Sequence, residues 1–356
     1  MSKNAAYITQ RQVAQRAGVH QTTVSLVFRN HPSVPETTRR RVLAAAEALG
    51  YRRHPLLAAL MSTRLRLAGG DAGSPVLAFL TDFETRDRWK ISPTAVEMHD
   101  GARARAQELG YRVKVFWLND PEVPPARLGR ILWARNIHGI LLAPTHHPRG
   151  SLTFDFAPFS VVRLGAGSEH APITGVMHDH FSGMETALGR CLRAGRWRVG
   201  VTLMIGVNKL VSDRWLAAHA LACGARGGIA RLPAWEGDFE PGRFAGWLKR
   251  HRPDALVGTF AGKLPGWLRG RGVAVPGGLA LVSLSLSADE RFCAGIYQRS
   301  RVIGARAVDL LAGALNHNDT GLPSMRQVLQ IEGEWRDGPS LAAAAAAAPA
   351  LTPRSS

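Results

Sequence analysis

Eleven cationic side chains, Lys3, Arg11, Arg16, Arg29, Arg39, Arg40, Arg41, Arg52, Arg53, Arg64 and Arg66, stand within the first 67 residues against two carboxylates, Glu36 and Glu47. That net +9 is half of the chain's +18, held in under a fifth of its length. A basic terminal module on a less basic body points to a polyanion partner rather than to solubility alone. Other chemistry finds less support. His146-His147 and His178-Asp179-His180 carry ligand atoms, but no Cys or Glu follows at ligand spacing, so no metal is expected. Cys191, Cys223 and Cys293 are odd in number and far apart, which suits reduced thiols rather than a disulfide framework. Cys191 and Cys223 lie in apolar helical stretches and read as core. No Walker-type phosphate loop, nucleophile elbow or dinucleotide fingerprint occurs, so neither catalytic residues nor cofactors are expected.

At 356 residues the chain is long enough for two or three folded units. Its 46% hydrophobic and 20% charged residues exclude a mainly disordered or fibrous protein. No apolar run approaches ~18 residues, so no membrane span is expected. The start lacks the apolar stretch of a secretory signal, and a cytoplasmic protein is the expectation.

The elements that position the cations read as short helices. Thr9 and Gln12 fit a capping box, Val13, Ala14 and Ala17 share one face, and Gly18 stops the first helix. A second helix is expected over about 21–28, with Val24, Val27 and Phe28 at helical spacing. A third starts near Pro35-Glu36 and ends at Gly50, with Val42, Ala45, Ala46 and Leu49 as its buried stripe. Leu56, Leu57, Leu60 and Met61 suggest a further short helix before a Gly-rich joint, 69–75. From Pro75 onward apolar runs alternate with amphipathic stretches as far as residue 286, which argues for parallel sheets covered by helices, enough for two lobes. The Ala-rich end, 341–356, reads as a disordered tail.

The first two helices and their Gly-containing turn make a helix-turn-helix pattern, whose second helix enters the major groove. The buried positions need small or apolar residues, and Val13, Ala14, Gly18, Val19, Val24 and Val27 meet this. A helical hairpin with no ligand fits the same pattern. Over residues 8–51 the sequence closely resembles, without a gap, the DNA-binding headpiece of the LacI (lactose-repressor-like) family of bacterial transcription regulators. Segments 138–144, 175–201 and 276–285 resemble the sensor part of that family more loosely and in the expected order. The resemblance implies an all-α helix-turn-helix headpiece at 1–52 and a hinge helix and linker at 53–74. It also implies an α/β periplasmic-binding-protein-like type I sensor of two Rossmann-like lobes at 75–340, which binds effector and forms the dimer.

Carried over residue by residue, the recognition helix opens at His20, where the family usually has Ser. Gln21, Thr22 and Leu26 fall on base-reading positions; Leu26 replaces a common Arg and is expected to read by apolar contact. Thr9, Thr23, Ser25, Arg29, Asn30 and Tyr51 fall on phosphate-positioning ones. His54 and Leu60 match the minor-groove hinge, Leu60 as the wedge that kinks a base step. The effector cleft is expected from Asp82, Phe83, Trp89, Thr145, His146, Arg214, Phe260 and Ser285. Trp89 reads equally as a stacking face for a sugar or as a cover for its loop. Two acidic positions of the family are missing, replaced by Ala261-Gly262-Lys263 and by Ser285.

These readings give a sequence-specific transcription regulator, a repressor by expectation. It would bind a palindromic operator as a homodimer at the nucleoid, with small-molecule control by an effector expected to be anionic. The rival is an architectural or ligand-independent DNA-binding protein whose cleft has lost its effector. The basic cluster predicts on the order of 6–10 phosphate contacts per dimer, so affinity should fall steeply with salt. A flat plot of log K against log salt would contradict it.

Overall fold

The computed structural model describes residues 10–28, 34–49, 51, 74–144, 153–167, 171–224, 228–237, 241–259 and 264–342; of Gln10, Ser25 and Pro241 only the backbone is described. Thr9, Arg29, Asn30, His54, Leu60, Thr145, His146 and Phe260 lie outside these residues, as does the segment 343–356.

Three helices form the headpiece: α1 (Gln10–Ala17), α2 (Gln21–Phe28) and α3 (Glu36–Ala48). Val13, Val24, Val27 and Val42 are its fully enclosed residues. The end of α1 is a Schellman motif: Gly18 has φ +62°, Val19 N–H donates to the Ala14 carbonyl at 3.0 Å and Gly18 N–H to Gln15 at 3.3 Å. Gly18 itself is exposed, not buried as expected, because its role is the left-handed turn. Leu49 is half-buried at the edge of the same cluster.

The remainder builds two six-stranded sheets. The first lobe begins with β1 (Val76–Thr81), α4 (Pro93–Glu108), β2 (Arg112–Trp117), α5 (Pro125–Ala134), β3 (Gly139–Leu142), β4 (Ser160–Leu164) and β5 (Gly175–His178). The second holds α6 (His180–Arg193), β6 (Val199–Leu203), α7 (Val207–Leu210), α8 (Arg214–Ala222) and β7 (Trp235–Glu236). It continues with α9 (Pro241–His251), β8 (Ala255–Gly258), α10 (Leu264–Arg269), β9 (Ala280–Leu286) and β10 (Ala294–Tyr297). The chain then returns as α11 (Ser300–His317) and β11 (Val328–Ile331) to the first lobe, and ends in the second with β12 (Glu334–Arg336). Sheet orders are β11-β5-β4-β3-β1-β2 and β12-β10-β9-β8-β6-β7, and every pairing is parallel except β10 with β12. Strands covered on both faces read as continuous apolar runs, which is why β1, β3, β4, β6, β8 and β9 stand out in the sequence.

Past residue 286 the sequence reading assigns no element, yet α11 and three strands lie there. Helix α11 crosses α4 at glycines: a Cβ on Gly101 would overlap the Arg301 carbonyl, and one on Gly304 the Met98 carbonyl. The crossing brings Ile303, Ala307, Val308 and Leu311 onto Leu77, Phe79 and Leu141 as the first lobe's core. The sequence boundary at 340 also shifts. Ser340 is fully buried, its Oγ donating to the Leu281 carbonyl at 2.6 Å and accepting from Ala294 N–H at 2.8 Å. Leu341, assigned to the tail, packs on the second core.

Gly304→Ala should lower the stability by about 2–3 kcal/mol, the range of an overpacked contact with rigid backbone. Gly313→Ala on the same helix, where nothing stands within 4 Å, should leave the urea midpoint unchanged or raise it. Equal midpoints for Gly304→Ala and the parent protein would refute the close crossing.

Candidate functional site

Helix α2 starts on the carbonyl of His20, which accepts from Thr23 N–H at 2.9 Å and Val24 N–H at 3.3 Å. Val24 and Val27 turn inward, so Gln21 and Thr22 are left exposed on the opening turn. Thr23 is half-buried. Leu26 is also half-buried, packed against the headpiece core, so its side chain is divided between core and surface. The Tyr51 ring stacks on Phe28 at 5.2 Å, which fixes the end of the headpiece against α2. The cations have unequal duties. Arg39 is largely enclosed, donates to the Val27 carbonyl at 3.4 Å and pairs with Glu36 at 3.4 Å, bracing α3 on α2. Arg40 and Arg41 are exposed.

In the sensor the expected cleft residues divide. Asp82 follows β1 and is buried, and Phe83 continues into the first core. Their carbonyls accept from Asn119 Nδ2 at 2.6 and 3.2 Å, and Trp117 Nε1 donates to Phe83 at 2.8 Å. Trp89 belongs to the same core: its ring lies 5.4 Å from Phe79 and 5.1 Å from His99 and is 4% exposed. The stacking role for Trp89 is therefore corrected to packing, since the 3₁₀ turn Arg88–Ile91 seats the indole under the loop. Arg214 opens α8 and donates to the Val211 carbonyl at 3.2 Å. Ser285, next to the last residue of β9, has its Oγ 3.3 Å from Thr94 Oγ1 of α4, a bridge between lobes.

Sequence reasoning missed the stronger tie beside that bridge. Glu97 of α4 is buried; its Oε1 accepts from Ala288 N–H at 2.9 Å and its Oε2 from Tyr297 O–H at 2.9 Å. Arg336 completes the clamp, donating to the Ala288 carbonyl at 3.2 Å and stacking over the Tyr297 ring at 3.7 Å. A charge at an enclosed helix position was the available signal, because a buried carboxylate needs such partners. Arg163 was also missed. It is 3% exposed on β4, and burial, then Arg326, lower its pKa to about 10 while Asp82 opposes the shift.

The two histidines that looked like ligands form the waist between the sheets. His178 Nδ1 donates to the Ile331 carbonyl at 3.1 Å, and a Cβ on Gly183 or Gly333 would collide with its ring. His180 meets His178 edge-on at 4.9 Å and Trp215 at 4.9 Å. Asp179 between them caps α6 by accepting from Ser182 N–H and Oγ. Among the described residues no group of three or more His, Cys, Asp or Glu is placed to hold a metal. Burial lowers His178 from 6.5 to about 4, against the opposing Ile331 carbonyl and Asp179; burial, then His178 and Arg214, put His180 well below the usual range. Such rings are neutral when folded, but take up protons below pH 6.5 when unfolded. Their contribution is therefore full above pH 6.5 and is lost as pH falls toward 4. His178 alone should remove about 2 kcal/mol of unfolding free energy between pH 7.5 and 5.0, read from urea titrations. Equal stability at both values would contradict a neutral waist.

No helix among the described residues is long and apolar enough to cross a membrane. Residues 9–54 match the family model for bacterial regulatory proteins, lacI family. The HTH-type transcriptional regulator PtxS of Pseudomonas plecoglossicida is 25% identical over 296 residues, 80% of this chain and 81% of that protein. The structure of a transcriptional regulator CelR-cellobiose complex superposes with a TM-score of 0.58 at 20% identity, covering 94% of this chain and 99% of that one. The lac repressor dimer bound to operator and the anti-inducer ONPF gives 0.56 at 19% identity, with the same coverage. The headpiece and the periplasmic-binding-protein-like pair of lobes recur in these structures in one chain. Residues 9–54 thus match the helix-turn-helix headpiece of the lacI family of bacterial regulatory proteins, and over most of its length the chain is similar to a transcriptional regulator.

Proposed function

We propose that this regulator is a repressor that binds a palindromic operator as a homodimer, under small-molecule control, at the nucleoid in the cytoplasm. The observation that carries the reading is the exposed opening turn of α2, Gln21 and Thr22, on a module that holds a net +9. Gln21 pairs with adenine and Thr22 with a neighbouring base edge, while Leu26 contributes apolar contact. Thr9, Thr23, Ser25, Arg29, Asn30 and Tyr51 hold phosphates, and His54 and Leu60 enter the minor groove from the hinge. The units are the headpiece at 1–52, the linker at 53–74 and the sensor from 75. The lac repressor structure, a dimer bound to operator and an anti-inducer, supports the same arrangement here.

Arg214 carries the effector reading, together with His146, Thr145, Phe260, Ser285 and Asp82. Its planar guanidinium suits a carboxylate or phosphate, and the cleft lacks acids at 261–263 and 285 that would grip sugar hydroxyls. We therefore place a sugar acid or sugar phosphate ahead of a neutral sugar. A second reading rests on the interlobe ties: Glu97 on Ala288 and Tyr297, and Thr94 on Ser285, join the lobes directly. On that reading the cleft has lost its effector and the protein binds DNA constitutively.

Selection of bound duplexes from a random pool tests the DNA half. An inverted repeat is expected, and a site without two-fold symmetry would overturn the dimeric operator reading. A thermal-shift screen of neutral sugars, sugar acids and sugar phosphates tests the other half. Stabilisation by an anionic class, lost in Arg214→Ala, is expected. A shift from a neutral sugar alone, unaffected by Arg214→Ala, sinks the anion reading, and no shift from any class favours the constitutive one.

A further inference from the structure

We infer that His20 decides which base edge Thr22 can read; the inference rests on the proposal that Thr22 faces bases. Two contacts converge on one ring nitrogen. The Thr22 hydroxyl lies 2.8 Å from His20 Nδ1, and the Thr22 backbone N–H donates to the same atom at 3.4 Å. An amide N–H can only donate, so Nδ1 carries the lone pair and the ring proton sits on Nε2. That acceptor nitrogen then takes the hydroxyl proton of Thr22. The side chain of Thr22 is left with oxygen lone pairs and a methyl group, and both residues remain exposed at the start of α2.

A threonine hydroxyl is ordinarily indifferent, since it rotates to donate or accept. Locked by His20, it is an acceptor. The major groove offers donors at cytosine N4 and adenine N6, whereas guanine N7 and O6 and thymine O4 carry lone pairs. Thr22 should therefore favour cytosine or adenine at its position and disfavour guanine or thymine. A serine at position 20 would impose no such restriction, because its own hydroxyl both donates and accepts. His20 thus acts on specificity through Thr22, as a positioning residue.

The test uses the full chain on the duplex recovered by selection, with each of the four bases placed in turn at every position of one half-site. The parent protein should bind about tenfold more weakly with guanine or thymine at one position, within the usual cost of a mismatch. His20→Ala should shrink that difference to about twofold there and leave other positions unchanged. His20→Asn, whose Oδ1 again offers an acceptor, should restore the preference. Thr22→Ser, which keeps the hydroxyl and drops the methyl, should keep it as well. A parent protein indifferent at every such position, or a His20→Ala protein with an unchanged preference, overturns the inference. If His20→Ala fails to fold, as judged by circular dichroism, loss of the preference in His20→Asn or Thr22→Ser overturns it instead. Thr22→Ala separates the two layers. A profile unaltered at all positions means that Thr22 reads no base, and both readings fall. A position flattened by Thr22→Ala but untouched by His20→Ala leaves the base contact standing and removes the lock.

Discussion

Three chain crossings pass between the two sheets, and the ring of His178 lies among them. The first crossing carries His178 itself from β5 into α6. The second leaves β10, whose Ile296 side chain would meet a Cβ at Gly183 or Gly333. The third supplies the Ile331 carbonyl that accepts the hydrogen bond from His178 Nδ1–H at 3.1 Å. Glycine at 183 and 333 is the condition for this approach, because a Cβ at either would occupy the space of the imidazole. A neutral ring fits, since an enclosed imidazolium would lose its hydration without a carboxylate in direct contact. The waist can therefore be narrow, with His180 and Trp215 extending the ring contacts to the foot of α8, where Arg214 stands.

The contacts above the waist determine how tightly the lobes hold together. Glu97 is an acid without a cation against its carboxylate oxygens; a backbone amide and a phenol satisfy it instead. Charge-assisted hydrogen bonds of this kind are stronger than neutral ones, and removing a partner would leave the carboxylate buried and unsatisfied. Arg336 holds the opposite side of the Ala288 segment, so the loop after β9 is gripped by both lobes' elements. Any ligand that alters the lobe angle has to act against these contacts, by binding one arrangement better than the other.

The headpiece divides its charge between structure and recognition. Arg39 contributes to the fold through the Val27 carbonyl and Glu36, while Arg40 and Arg41 face solvent, where long-range attraction to phosphate acts. The small core of valines and alanines fixes α2 with its opening turn outward, and this orientation gives Gln21 and Thr22 their exposure.

Much of this was legible in the chain itself. The helix-turn-helix spacing, the Gly18 stop, the basic cluster and the doubly covered strands are local patterns, written in the types and spacing of neighbouring residues. The family resemblance followed from the same residues. Long-range pairing decided the rest. Helix α11 and strands β10 to β12 are short or glycine-containing, and they exist because distant segments complete their hydrogen bonds and cores. Trp89 read equally as a sugar-stacking face or as a cover for its loop, and its place in the core was decided by Phe79 and His99. The histidine pair carries ligand atoms without partners at ligand spacing, and only burial and the Ile331 carbonyl showed it to be a waist. Glu97 looked like an ordinary helix acid, and only the second lobe, some 190 residues further along the chain, turned it into a clamp. A residue's type sets what it can do, whereas its partners are set by the fold, because burial and hydrogen-bond satisfaction are properties of packed neighbours and not of sequence spacing.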